Sequence, residues 1–449
     1  VLAGVVLAAS CSPRPDARSF VLVTIDTWRA DGMGAGGHPA VRTPHLDRFF
    51  RGAAQFADAF APAPTTLSSH ATLLTGEWPT GHGVPRNGWP LPEGVPTLAE
   101  ALRRAGFRTG AFVSSAALDP TFGLARGFDV YDAELTRAVA RDQAWRPAAG
   151  TLERARTWWR ARHGRRFLWV HLFEPHSPYE PAPQDFALYD TGYRGSADGS
   201  MDFLFAMWED ASLLPEDARA HLESLYHAEI TGLDRAVGDF LRELASESDV
   251  LAVVTADHGE SLGEHGLRFK HGPWVYDGDV RVPLALRGPG VPAGVSGATV
   301  RTLDVPRTAL AWLGVPSDLA PEGADLRDWV RGGAGLAAFS EASMPWDVEP
   351  PDAYPNLRKQ RAVRTSEWSF VETPWTGRAE WYRRAEDPAE TGEPSEPPPG
   401  AGADLARALG EWIGRGRPRE EPSRLDPRVL ERLRSLGYVD RGGSAPGAP

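Results

Sequence analysis

Three apolar runs in the sequence each lead directly to residues that could ligate a cation or move a proton. FVLVTI (20–25) ends at Asp26, VLAVVT (250–255) is followed by Asp257 and His258, and FLWVHL (167–172) contains His171 and precedes Glu174 and His176. An open α/β sheet binds its ligands beyond the carboxyl ends of its strands, so residues in these places come first. Two carboxylates and one imidazole make a divalent-cation site with mainly hard oxygen ligands. A carboxylate there can equally cap the helix that follows its strand. The segment PTTLSSHATLLTG (64–76) adds a hydroxyl cluster ahead of an apolar helical stretch. Near a helix N-terminus a hydroxyl meets free amides and the positive dipole end, and a cation could activate it for attack. On the alternative reading Thr66, Ser68 and Ser69 are helix caps.

The elements that must position these residues follow from the surrounding pattern. Short apolar runs alternate with amphipathic segments, which is the mark of an α/β chain with a mostly parallel central sheet flanked by helices. The three runs above, with GAFV (110–113), lack strict alternation, as strands buried on both faces do. A fifth run, 282–286, carries Pro283 near its start, where a strand tolerates a missing amide donor. Thr97 and Glu100 form a capping-box pattern that opens a helix, and Gly106 is its natural stop. Leu222, Leu225, Ile230, Leu233, Val237, Phe240 and Leu241 recur at helical spacing and predict one long helix over 216–246.

From about Ala338 the texture changes. RAVRTSEWSFVE (361–372) and residues 379–382 alternate like antiparallel strands. The stretch 385–403, dense in Pro, Glu and Gly, reads as a loop, and 404–414 and 426–436 read as short helices. The expected organisation is a signal and tether over 1–19, a catalytic domain over 20–337, and a small C-terminal subdomain with an antiparallel sheet over 338–449.

With 449 residues, 42% hydrophobic and 24% charged, the chain has ample material for a large core. Its net charge of -12 argues against a nucleic-acid partner, which calls for surplus Lys and Arg. A small anion could still be held by a locally basic, metal-bearing pocket. Cys11 is the single cysteine, which excludes an internal disulfide and a thiolate zinc site. It follows VLAGVVLAAS, an apolar run of signal-peptide length ending in small residues. The run resembles a bacterial lipoprotein signal, which implies export and membrane anchoring through a lipid on Cys11, in the cell envelope or periplasm. A plain secretory signal cut nearby is the alternative. No later apolar run reaches about 18 residues, so no further span is expected.

Ordered blocks along the chain carry a family resemblance from about Phe20 to Val439. VLVTIDTWRADGMG, RTPHLDRFFRGAAQFADAFAPAPTTLSSHATLLTG, EWPTGHGVPRNG, FLWVHLFEPHSPYEPA, TADHGESLGEHG and FKHGPWVYDGDVRVPLALRGPG resemble, in that order, the blocks of sulfatases in the alkaline phosphatase superfamily. AVRTSEWSFVE, WYRRAEDPAET and LRSLGYV extend the resemblance into the C-terminal part. It implies an alkaline phosphatase-like fold and a hydrolase of sulfuric or phosphoric esters. It further implies that Asp26, Thr66, Asp257 and His258 bind one divalent ion, with the Thr66 oxygen both ligand and nucleophile. His70 occupies the place where arylsulfatases carry Arg, and would contact the nucleophile or the substrate anion. Lys270 and His176 match positions that contact the transferred group, and Arg86, Asn87 and His271 are further substrate-binding candidates.

Two departures from the family pattern shape the expectation. Thr66 stands where sulfatases carry the Cys or Ser that becomes formylglycine, and threonine cannot yield that aldehyde, so no formylglycine is expected. Thr27 stands where many sulfatases have a second metal-binding Asp, which leaves Ca²⁺, Mn²⁺ or Zn²⁺ as candidates. His176 and Tyr179 in EPHSPY occupy places where a two-metal phosphodiesterase would carry ligands, so a single ion is expected. The competing readings are a phosphodiesterase or a phosphoglycerol- or phosphoethanolamine-type transferase, and a catalytically silent binding lipoprotein.

Overall fold

The computed structural model describes residues 19–139, 142–343, 359–416 and 426–438. Cys11 and the apolar run before it lie outside these residues.

The apolar runs become the middle of an eight-stranded sheet. Its strands are β1 (Ser19–Ile25), β2 (Ala54–Phe60), β3 (Arg108–Phe112), β4 (Val130–Asp132), β5 (Arg166–Leu172), β6 (Val250–Ala256), β7 (Arg281–Arg287) and β8 (Gly294–Arg301). Their spatial order is β8-β2-β7-β6-β1-β5-β3-β4. Every residue of β1 and β6 is buried, which explains why both read as unbroken apolar runs. β1 pairs in parallel with β5 on one side and β6 on the other, so three strand ends lie side by side.

β7 alone opposes the rest, pairing antiparallel with β6 and β2. A parallel return would need a crossover, usually a helix. Residues 257–280 instead fold back over the carboxyl edge of the sheet and include the short antiparallel pair Ser261–Leu262 and Arg268–Lys270. Asp257, His258, Lys270 and His271 all travel on this connection.

Among the flanking helices, α1 (Thr66–Thr75), α2 (Ala148–Arg160) and α3 (Glu216–Ser246) matter most for the site. α3 has the bounds its periodicity predicts and buries Leu222, Leu225, Ile230, Leu233, Val237, Phe240 and Leu241. Each such side chain contributes roughly 1.5–3 kcal/mol when fully buried, so packing rather than propensity fixes this helix. The capping box at Thr97 and Glu100 forms in full. No helix among the described residues is long and apolar enough to cross a membrane.

The C-terminal part forms an antiparallel sheet of β9 (Ala338–Glu341), β10 (Arg361–Arg364), β11 (Trp368–Thr373) and β12 (Arg378–Arg383). Helix α4 (Ala401–Gly414) starts within the stretch expected to be loop, and α5 (Pro427–Ser435) starts after Asp426, whose carboxylate accepts from the Arg428 N–H. A fully buried ion pair, Arg364 with Glu390 at 2.6 Å, ties this sheet to the 257–280 connection. Glu390 also accepts from the Asp277 N–H, and Arg364 donates to the Val275 carbonyl. β2 and β8 were not foreseen in the sequence. Gln55 and Asp58 interrupt β2, and β8 contains two glycines and leaves Val295 67% exposed at the sheet edge, so neither presents an apolar run.

Candidate active site

Thr66 is the first residue of α1, and its side chain is completely buried. The helix start is held by other residues: Asn87 Oδ1 accepts the Leu67 N–H at 2.8 Å, Ser68 donates to the Val84 carbonyl, and Ser69 donates to the Asp257 carbonyl at 2.6 Å. The hydroxyl cluster therefore does not cap its own helix. Ser69 locks α1 onto the end of β6, while Thr66 Oγ1 has no hydrogen-bond partner among the described residues.

Around that hydroxyl the three adjacent strand ends deliver their polar residues. Asp26, Asp257 and His258 are all fully buried, and ligand atoms from the three lie within 4.8 Å of one another. His258 Nε2 is 3.6 Å from Asp26 Oδ1 and 3.6 Å from Asp257 Oδ2. Its other nitrogen, Nδ1, lies 2.8 Å from the Gly259 carbonyl, which can only accept, so Nδ1 carries the proton and Nε2 presents a lone pair. A lone pair aimed between two carboxylates is repulsive unless positive charge sits among them. Neither Asp26 oxygen, nor Asp257 Oδ2, nor His258 Nε2 has a hydrogen-bond partner among the described residues. Native interiors satisfy such groups, and a divalent ion would satisfy all of them together with Thr66 Oγ1.

Burial, reinforced by Glu260, raises the Asp26 carboxyl well above its ordinary range, and burial together with Asp26 does the same to Asp257. His258 is pushed down by burial and by His271, so it is neutral and fit to ligate. Thr27, directly after Asp26, has φ 51, a left-handed conformation that is rare for a β-branched residue. The Tyr226 hydroxyl donates to its carbonyl at 2.8 Å and its N–H donates to Asp257 Oδ1, which holds the turn in place.

His70 sits one helical turn after Thr66. Its Nδ1 donates to the Thr66 carbonyl at 2.7 Å and its Nε2 lies 2.9 Å from Thr24 Oγ1, so it braces Thr66 through the backbone rather than at the hydroxyl. His171 Nε2 is 3.4 Å from Asp26 Oδ2; burial and the Arg146 charge push this imidazole down to about 3. Glu174 accepts the Ala148 N–H at the start of α2, the capping role open to any strand-end carboxylate.

A small cavity opens beside Thr65 and is lined by His176, Glu260, Lys270, His271 and Tyr438 among others. His176, Lys270 and His271 thus line one cavity. Arg86 lies over the Trp89 ring and Asn87 caps α1, and neither lines this cavity. Three residues close to the cluster carried no assigned role in the sequence. His171 was visible inside a strand, Glu260 sits two residues after His258 and is raised to about 8 mainly by burial, and Tyr438 comes from the far end of the described chain.

A sheet whose central strand ends bring two carboxylates and an imidazole to a buried hydroxyl is an arrangement of the alkaline phosphatase-like ester hydrolases. Residues 18–315 match the family model described as Sulfatase, and the chain belongs to that family. It is a hydrolase acting on ester bonds. The ulvan-active sulfatase of Formosa agariphila is 27% identical over 80% of this chain and 73% of its own. The choline-sulfatase of Rhizobium meliloti is 22% identical over 79% and 78%. The solved phosphonate monoester hydrolase from Silicibacter pomeroyi shares the fold, with a TM-score of 0.66, 22% identity and coverage of 89% and 96%.

Proposed function

We propose that this chain is a metal-dependent hydrolase of sulfuric or phosphoric esters in which Thr66 is the nucleophile. The observation that carries the reading is the buried set Asp26, Asp257, His258 and Thr66, whose donor atoms face one another without partners among the described residues. These four would hold one divalent cation, which when bound lowers the pKa of a coordinated hydroxyl and offsets charge on the ester oxygens. A donor set of two carboxylates, a hydroxyl and an imidazole suits Mn²⁺ or Zn²⁺ about as well as Ca²⁺.

Thr66 Oγ1 attacks sulfur or phosphorus in line; a bond from Oγ1 forms, the bond to the leaving oxygen breaks, and the hydroxyl proton passes to the departing alcohol. Lys270 and His271, at the cavity wall, stabilise charge on the transferred group. Water then opens the threonine ester and releases the inorganic anion. His176 is better placed than His70 to act as base for this step, because His176 lines the cavity and His70 does not.

Turnover of aryl sulfate, phosphate monoester, phosphate diester and phosphonate monoester substrates, each with Mn²⁺, Zn²⁺ or Ca²⁺, tests the reading. At least one ester is expected to turn over only with metal and only with Thr66 intact; wild-type rates from Thr66→Ala would remove the mechanism. A phosphoryl ester is the second reading, which Thr66 favours, since without an aldehyde hydrate the covalent ester must be opened by water. Lipid attachment at Cys11 belongs to the same proposal, and labelled palmitate incorporated by the native chain but not by Cys11→Ala is its check.

A further inference from the structure

The segment resembling the sulfatase tail, LRSLGY (433–438), folds into the site. α5 ends in a Schellman motif: the Tyr438 N–H donates to the Leu433 carbonyl at 2.9 Å and the Gly437 N–H donates to the Arg434 carbonyl at 3.1 Å. Gly437 takes φ 76, and a Cβ there would come within 3.2 Å of the Trp208 ring, so glycine alone allows both the turn and the close packing. The motif reverses the chain and sends the Tyr438 side chain inward, where it is 3% exposed.

There its hydroxyl lies 2.8 Å from His176 Nε2. His176 Nδ1 is 2.5 Å from the Ser177 carbonyl and must donate to it, so Nε2 accepts and the Tyr438 hydroxyl is the donor of the pair. The phenol ring packs edge-on against the His176 ring and at a tilt against the His271 ring, with centroids at 5.4 Å and 6.1 Å. The phenol also lies within hydrogen-bonding reach of the Thr66 and Ser115 hydroxyls, and the Asp26 and Asp257 carboxyls act on it electrostatically. A donor thus stands beside the nucleophile, on the wall shared with Lys270 and His271.

Resting on Thr66 as nucleophile, we infer that Tyr438 is a substrate-contacting residue whose hydroxyl turns from His176 to a nonbridging oxygen of the sulfuryl or phosphoryl group. An anionic oxygen is a stronger acceptor than a neutral imidazole, so the switch is downhill once the anion arrives. α5 and Gly437 are the device that delivers this donor.

The test compares full-length, metal-loaded wild type with Tyr438→Phe and Gly437→Ala. Inorganic sulfate and phosphate are titrated calorimetrically, and KM and kcat are measured on whichever ester of the panel is turned over. Tyr438→Phe keeps the ring packing and is expected to melt within about 2 °C of wild type, because only one hydrogen bond is removed. Its affinity for the inorganic anion is expected to fall about tenfold, with KM rising in step, as for loss of one charge-assisted hydrogen bond. Gly437→Ala is expected to shift affinity in the same direction. Unchanged anion affinity in Tyr438→Phe, wild type that binds neither anion, or faster turnover on removing the side chain with Tyr438→Ala, as a plug would give, each overturns the inference. Tyrosine-dependent anion binding without turnover of any ester leaves Tyr438 standing and removes only the Thr66 reading.

Discussion

Asp26 and Asp257 are two acids held close together in a dry place, and their protonation is tied to any ion they bind. Burial, with Glu260 acting on Asp26 and Asp26 on Asp257, keeps both carboxyls above the ordinary range, so a cation that binds their ionised forms must displace protons. Metal affinity is expected to climb as pH rises, and calorimetry in buffers of different ionisation enthalpy should show protons released on binding. At Thr66 the expectation is sharper still. The start of α1 is held by Asn87 rather than by this hydroxyl, so Thr66→Ala should leave the melting temperature within about 2 °C while lowering kcat by roughly a thousandfold or more. Asp26, Asp257 and His258 were legible because each directly follows an unbroken apolar strand, and Thr66 because it opens a helix after a hydroxyl run. Glu260 and Tyr438 were not: one is an acid in a loop rich in acids, and the other reaches the cluster only through a helix stop whose aim depends on the packing of Gly437 against Trp208.

Helix α1 owes its position to a residue outside it. Asn87→Ala would leave the Leu67 N–H without its acceptor in a buried place and is expected to cost about 1–2 kcal/mol in urea denaturation, with kcat falling because Thr66 is the residue just before. Asn87→Asp keeps the acceptor and should recover most of the stability. On α3, Glu229 accepts the Glu180 N–H at 2.6 Å, and burial, with Glu174 nearby, raises its carboxyl to about 8. A carboxyl raised on folding stabilises the native state most below its unfolded value near 4.5, and that contribution is lost as pH climbs toward 8. Glu229→Gln removes this dependence, so its melting temperature should exceed that of wild type at pH 8.5 and the gap should close toward pH 5. The elements with strong periodicity, such as α3, were readable to the residue. β2 and β8 are strands because neighbouring strands need partners, a tertiary cause that their own composition does not announce.

Across the whole molecule, the C-terminal sheet acts on the chemistry without carrying any of it. Arg364 and Glu390 are both fully buried, and through Val275 and Asp277 they grip the connection that brings His258, Lys270 and His271 over the main sheet. Arg364→Met strands the Glu390 charge and is expected to cost roughly 3–5 kcal/mol, with activity falling as the connection loosens. Pairing it with Glu390→Leu should restore much of the stability, measured by denaturant unfolding. The alternating strands of this sheet were visible in the sequence, but their grip on 257–280 rests on contacts between residues about a hundred positions apart. The placement of Tyr438 has one more outcome. A chain made from its N-terminus brings out Asp26, Thr66, Asp257 and His258 well before α5, so a growing polypeptide passes through a stage in which all four exist and the wall that Tyr438 supplies is still unmade.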